Sequence, residues 1–163
     1  MDIFETLDGL VNKIKDEILL NQNILKLVFY PSKTPLEEKD IDDVRSLVDN
    51  YIYFKPIAYE SVLQDTRSIL VMDFNISPIR GKTDYVDITF RIRVISHNKL
   101  CDIEINNEER NRTRAICGEI SKSFMNAKGD WIGKCEFRDF AEFYVAQDYY
   151  GVGITFAVTN FKY

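Results

Sequence analysis

Two neighbouring stretches of apolar–polar alternation constrain the fold of this chain more than any other feature. Both alternate with a period of two residues, which predicts β-strands over Ser68 to Ser77 and Val86 to Ser96. An antiparallel pair with Phe74 opposite Phe90 brings the alternating apolar side chains of both strands to one face. The same pair sets Asp73 opposite Arg91 on the other face. A slip by one residue would bury both charges, so the sequence predicts this register.

The segment that joins the two strands, Ile79 to Tyr85, is longer than a tight hairpin turn requires. Because the register fixes its ends, we expect this loop to protrude from the sheet. Loops beside a rigid hairpin often carry contact residues, and the alternative is an idle surface loop. We predict a protein interface formed by the loop residues Arg80, Gly81, Lys82, Thr83 and Asp84.

Two helices are predicted on either side of this hairpin in sequence. From Phe4 to Val28 the apolar residues recur at helical steps, and the polar run 21–23 can bend or break the helix before it ends near Tyr30. The second helix is predicted from about Asn107 to Asn126, with Glu108 in its first turn and four residues ahead of Arg112.

Shorter elements are predicted between and after these helices. Thr34 is predicted to cap a short helical segment at Glu37 that continues through Val48 and closes at Asn50. An edge or broken strand is expected within 51–59, because Pro56 cannot donate to a ladder. The chain should end in strands over 134–140 and 152–161, with the ambiguous segment 137–145 also extended and a turn at 149–151.

These elements predict an α+β fold. We expect a mainly antiparallel sheet of about four to five strands, packed by the N-terminal helix and the second long helix. The 163 residues show no linker and no internal repeat, so residues 1–163 should form a single domain.

Charge and cysteine content exclude several classes of protein. A formal net charge of −5 argues against a nucleic-acid reader, whose domain is usually basic. Cys101, Cys117 and Cys135 form no C-x-x-C pair, so buried reduced thiols are expected rather than zinc ligands. No stretch approaches a membrane span and the N-terminus does not resemble a signal peptide, so we expect no membrane contact.

We find no residue pattern that predicts a catalytic, metal or cofactor site. His97 is the only histidine and lies in no nucleophile motif, so a polar residue at a strand end is the favoured interpretation. Asp102 and Glu104 alternate on an extended segment, but no lysine follows at a spacing that suits a nuclease. No glycine-rich phosphate loop is present. A small metal-dependent enzyme remains the alternative from another functional class.

The densest basic feature is the group Arg110, Arg112 and Arg114. These arginines could contact phosphate or an acidic partner. On a helix they would spread over more than half of the circumference, which favours a solvated helix instead. We include all three among the candidate interface residues.

The layout of the chain resembles the tail terminator family of long-tailed bacteriophages. The resemblance consists of an N-terminal amphipathic helix, a central hairpin with a long loop, a following helix and a final pair of strands. The run from Asn21 to Tyr30, followed by Thr34-Pro35-Leu36, is also similar to neck and tail-completion proteins of phages that infect low-GC hosts. The segment 34–50 is longer than in compact members, which leaves room for a head-completion, stopper or adaptor protein of the neck.

The resemblance implies a structural function. A tail terminator would form a cyclic homo-oligomer, expected to be a hexamer, that binds the tail tube protein and a head-completion or stopper protein. DNA would pass its lumen without sequence-specific binding. The protein would be assembled in the host cytoplasm and located in the virion. The alternative outside phages is a cytosolic protein-binding module.

Overall fold

The structure, a computed structural model, describes residues 3–126 and 135–162. Three helices, α1, α2 and α3, span Ile3–Leu20, Gln22–Phe29 and Arg112–Asn126. The strands β1 to β7 span Ile52–Tyr53, Ser68–Pro78, Tyr85–His97, Asp102–Ile105, Glu108–Asn111, Cys135–Ala146 and Tyr149–Lys162.

A five-stranded sheet in the order β1-β2-β3-β7-β6 forms the centre of the fold. Its four long strands are antiparallel to their neighbours, and β1 is parallel to β2. The strands β4 and β5 form a separate two-stranded hairpin. The predicted α+β class and mainly antiparallel sheet are confirmed.

The predicted register between β2 and β3 is also confirmed, with Phe74 opposite Phe90 and Asp73 opposite Arg91. The ionic contact, however, runs diagonally: Arg93 Nη1 lies 2.6 Å from Asp73 Oδ2. Arg91 instead donates from Nε to Thr155 Oγ1 on β7, at 3.3 Å. The central position of β3 thus lets its two arginines contact different neighbouring strands: Arg93 contacts β2 and Arg91 contacts β7.

The main core lies between the helices and one face of the sheet, which we call the helix face. At its centre Phe90 stacks on Phe156, with ring centroids 5.3 Å apart, and Phe124 of α3 meets Phe90 edge-on at 5.5 Å. Ile14 and Ile18 of α1 are fully buried in the same cluster. On the opposite face, which we call the open face, a smaller apolar cluster covers one end of the sheet. Its buried members are Tyr53, Ile69, Val71, Ile95 and Tyr149.

The first predicted helix is interrupted where the polar run indicated. Asn21 lies between α1 and α2, and its Oδ1 accepts hydrogen bonds from the N–H groups of Asn23 and Ile24. Such an N-cap begins a new helix, because it satisfies N–H groups that lack partners within the helix. Helix α2 ends at Phe29, one residue before the end predicted for the first helix.

The segment 34–50 differs from prediction. It holds two 3₁₀ turns, Pro35–Glu37 and Val44–Leu47, rather than a continuous helical segment. The Thr34 side chain makes no capping hydrogen bond. Asp43 caps the second turn, since its side chain accepts a hydrogen bond from the Ser46 N–H. The predicted extended segment at 51–59 is reduced to the two residues of β1.

The predicted start of the second long helix is wrong. Asn106 and Asn107 have positive φ angles of 54° and 61° and form the turn between β4 and β5. Asparagine tolerates this conformation, which a two-residue hairpin of this kind requires at both positions. Glu108 therefore lies on β5, and its side chain pairs with Arg110 rather than Arg112.

The C-terminal strands are longer than predicted. The ambiguous segment 137–145 belongs to β6, as favoured, while the predicted start at Lys134 lies outside the described residues. The turn falls at 147–148, because Tyr149, Tyr150 and Gly151 already pair with β3 and β6.

Candidate interaction surfaces

The loop between β2 and β3 is exposed along its charged stretch. Arg80, Gly81, Lys82, Thr83 and Asp84 are all exposed. Gly81 has a φ of 80°, a conformation that a residue with a side chain adopts only with strain. Lys82 Nζ lies 5.2 Å from the centre of the Tyr85 ring. The structure therefore presents all five predicted loop residues to solvent at one end of the sheet.

Arg112 is not a surface residue, although it was predicted as one of three candidate interface arginines. Its side chain is 1% exposed. The guanidinium donates to the carbonyls of Leu27, Tyr30, Ser32 and Leu100, each at 2.7 Å. The Leu27 carbonyl lies in the last turn of α2, where helix carbonyls lack partners within the helix. Arg112 therefore stabilises the core and is removed from the candidate interface.

Burial among these four carbonyl groups changes the pKa of Arg112. Desolvation lowers its pKa to about 10, because burial disfavours the charged form, while the nearby Cys101 acts in the opposite direction. The group therefore remains protonated at neutral pH. No carboxylate among the described residues forms a salt bridge with it.

The other two arginines come together at a cleft. Arg110 lies on β5 and Arg114 on α3, and both line an open cleft of about 600 Å3 between these elements and α2. Arg114 Nη2 donates to Glu142 Oε1 of β6 at 2.6 Å. The interaction of Glu142 with the Tyr150 hydroxyl and then with Arg114 lowers its carboxyl pKa. Arg114 therefore connects the wall of the cleft with strand β6.

The loop and this cleft lie at different ends of the molecule. The loop precedes β3 at Tyr85, whereas the β4–β5 hairpin follows its other end at His97. A strand of this length extends roughly 40 Å. The predicted interface residues therefore form two separate surfaces, apart from the buried Arg112.

Strand β6 forms an open edge of the sheet and was not singled out from the sequence. It is the last strand in the sheet order and pairs only with β7 among the described strands. Three aromatic side chains on it are exposed: Phe137 by 51%, Phe140 by 41% and Tyr144 by 80%. The register with β7 shifts beside Arg138 and Val145, so the six residues between these bulges form a regular stretch. One feature of the sequence indicated the first of these bulges. The alternation of apolar and polar residues that begins at Phe137 fails at Asp139.

The opposite edge, formed by β2, is only partly covered. The strand β1 pairs with Leu70 and Val71 alone. The six residues from Met72 to Ser77 therefore have no strand beside them on that side among the described residues. Leu70 N–H donates to the Tyr51 carbonyl at 2.8 Å, away from β3. By alternation, Met72, Phe74 and Ile76 also direct their N–H groups outward, and Pro78 occupies the next outward position without a donor.

One row of residues relates this edge to β6. Leu70, Val94, Val152 and Glu142 lie opposite one another across the four long strands. Antiparallel pairs alternate between those that exchange hydrogen bonds and those that do not. Since Leu70 directs its N–H outward, Val94 bonds with Val152, and Glu142 directs its N–H outward at the other edge. Phe140 and Tyr144, two residues away on either side, do the same.

The described residues contain no evident catalytic arrangement. His97 Nδ1 accepts from the Lys99 N–H at 3.1 Å, and its ring meets Tyr149 edge-on at 5.1 Å. Asp102 and Glu104 are exposed on one face of β4. No group of three or more His, Cys, Asp or Glu in ranges 3–126 and 135–162 is placed to hold a metal ion. No described helix is long and apolar enough to cross a membrane.

The described residues form a small α+β fold in which two sheet edges are incompletely paired. A family model named YomW matches residues 21–158, which is most of the chain, and the chain belongs to this family. YomW is a phage-derived family associated with the SPbeta prophage of Bacillus, so the protein is phage-associated. A search of curated proteins found no match.

Proposed function

We propose that this protein is a structural component of the phage neck, namely a tail terminator. In this function it forms a closed ring that caps the tail tube and joins it to the head. Membership of a phage-derived family supports the part of this proposal that places the protein in a phage. The observation that carries the proposal is the open edge of β6.

An open edge of this kind is unusual in a protein that acts alone. Natural proteins cover, shorten or distort edge strands, because free N–H and C=O groups pair readily with another chain. Here the bulges distort β6 only near its ends, and the regular stretch between them carries the exposed Phe140 and Tyr144 together with the charged Asp139 and Glu142. Aromatic side chains are enriched at protein interfaces. A partner strand would satisfy the backbone groups and cover both rings.

The partners follow from the proposed position in the virion. The ring would be a hexamer that binds the tail tube protein on one side and a head-completion or stopper protein on the other. The loop from Arg80 to Asp84 and the cleft beside Arg110 and Arg114 are the proposed contact surfaces for these partners. DNA would pass through the lumen, and a net charge of −5 would keep it from binding tightly. The proposed function requires no cofactor or catalytic residue.

The mass of the full-length protein tests this proposal. Native mass spectrometry, alone and with the cognate tube protein, should detect a closed oligomer of six copies. A strictly monomeric mass under both conditions would reject the ring. A ring that binds the head vertex but not the tube would instead identify a head-completion protein.

A proline substitution tests whether the β6 edge is required. Glu142→Pro removes an outward N–H without removing a hydrogen bond to β7, so the fold should persist while edge pairing is blocked. Glu142→Ala is the matched control, because both variants lose the ion pair with Arg114. We expect the alanine variant to form rings and the proline variant to stay monomeric with a similar melting temperature. Equal assembly of the two folded variants would show that this edge is not the contact.

A further inference from the structure

From the two open edges we infer which surface of a second copy β6 binds: the uncovered part of β2, in a head-to-tail contact. This inference rests on the proposed ring and adds its interface. The contact would be heterologous, since β6 of one copy meets β2 of the next. An open chain of copies then keeps one free β6 edge at one end and one free β2 edge at the other until the ring closes.

Strand direction permits this contact. Between the two edges lie the four long strands β2, β3, β7 and β6, each antiparallel to its neighbour. With an even number of alternating strands, β2 and β6 run in opposite directions. A second copy added edge to edge in the same orientation therefore continues the antiparallel ladder without a reversal. The helix layers of successive copies remain on the same side of the continuous sheet.

The lengths of the two free stretches match. Six residues make up the uncovered stretch 72–77 of β2, and six make up the regular stretch 139–144 of β6. Full overlap sets Met72 opposite Tyr144, Phe74 opposite Glu142 and Ile76 opposite Phe140. All six of these residues direct their N–H groups outward, so each pair can exchange two hydrogen bonds.

The ends of the overlap are also consistent with this register. Pro78, which has no N–H to donate, falls opposite Arg138, where β6 bulges away from regular pairing with β7. Leu70, whose N–H already binds Tyr51, falls outside the overlap. The ladder between copies would therefore stop where a strand no longer presents an unpaired backbone N–H in a regular position.

Two of the six pairs in this register set a carboxylate opposite an aromatic ring, Glu142 opposite Phe74 and Asp73 opposite Phe143, and each carboxylate keeps its arginine partner within its own copy. The other pairs are apolar or can form hydrogen bonds. On the helix face, Ile76 is half-buried and would cover the exposed ring of Phe140. On the open face, Ser77 would lie opposite Asp139, which can accept a hydrogen bond from its hydroxyl, and Asn75 would lie opposite the small Ala141. No like charges are placed opposite each other, a condition that favours cross-strand pairing.

A disulfide between copies tests the register. Asn75 and Ala141 are both exposed and would form a non-hydrogen-bonded pair with Cα atoms about 4.5 Å apart, within the range that a disulfide spans. The double variant Asn75→Cys/Ala141→Cys, oxidised with glutathione disulfide, should give covalent multimers up to the full ring on non-reducing gels. Each single variant and the wild-type chain, with its three native cysteines, are the controls.

The outcomes separate this inference from the proposed function. Rings in the native mass without disulfide-linked multimers would overturn the β6–β2 contact and leave the ring intact. Covalent dimers from Ala141→Cys alone would show that β6 pairs with β6 of a second copy instead, which also overturns the inference. Linked multimers that do not close into a defined mass would support the contact and reject the ring.

Discussion

Arg112 connects parts of the chain that are distant in sequence through one side chain. Its guanidinium holds carbonyls from α2, from the segment that follows α2 and from the turn before β4. The planar arrangement of its donors suits several acceptors at once, which a lysine ammonium does not reproduce. Nothing in the local sequence indicates this burial, because the acceptors lie 12 to 85 residues away. Sequence reasoning therefore placed Arg112 on the surface.

Loss of this side chain should destabilise the fold. We expect Arg112→Met to lower the free energy of unfolding by on the order of 3 kcal/mol or more, because several buried carbonyls lose their donor. Arg110→Met is the matched control, since Arg110 is exposed and its change should remain within about 0.5 kcal/mol. Urea denaturation followed by circular dichroism measures both. Equal midpoints would contradict the structural role of Arg112.

The cysteines should react slowly in the folded protein. Burial raises the pKa of Cys117 to about 12 and that of Cys135 to about 11, from an ordinary value of 9.0. Only the thiolate attacks a disulfide reagent. At pH 8 we expect little reaction with Ellman's reagent until urea exposes the thiols. A rapid reaction of Cys135 in the native protein would contradict its placement.

The same shifts predict how stability depends on pH. Above about pH 9 the unfolded chain loses its thiol protons while the folded chain retains them. The unfolded state then binds fewer protons, so the free energy of unfolding contributed by these thiols falls as pH rises from 9 towards 11. Replacing Cys117 by Ser should reduce this slope, measured by urea denaturation at several pH values. An unchanged slope would show that Cys117 does not contribute to it.

At the scale of elements, periodicity decided what could be predicted. The β2–β3 register was readable because a one-residue slip would exchange buried and charged faces. The β4–β5 hairpin was missed, because Glu108 and Glu109 also suit the first turn of a helix and the turn depends on the backbone of Asn106 and Asn107. The open edge of β6 depends on sheet order, which involves strands distant in sequence and is not encoded in the strand itself.

The core of the hairpin should tolerate loss of its two aromatic side chains unequally. Phe90 is 1% exposed and contacts Phe74, Phe124 and Phe156. We expect Phe90→Ala to cost about 3–5 kcal/mol, because a large cavity remains in a packed core. Phe74 is only partly buried, so Phe74→Ala should cost less. Chemical denaturation of both variants tests this order, and a larger loss at Phe74 would contradict it.

The loop between β2 and β3 should be separable from the fold. Replacing 79–84 by Asn-Gly retains Tyr85, the first residue of β3, and introduces residues that short hairpin turns favour, so the protein should still fold. We expect the shortened variant to lose ring formation or attachment to the tail, measured by native mass and by complementation in infected cells. Infectious particles at normal yield would show that the loop makes no essential contact.

At the scale of the whole molecule, the sheet has polarity: its two edge strands, β2 and β6, differ in sequence and run in opposite directions, and the proposed contact joins one to the other. Growth by such a contact has no built-in stop, so the same surfaces that close a ring can also extend a filament. The twist of the sheet, which bulges such as those in β6 increase, would set the curvature that decides between these outcomes. A phage would then benefit from weak contacts between free copies that become sufficient only at the rim of a finished tube. On this view the tail itself acts as the nucleus, and its end determines when and where the free copies polymerise.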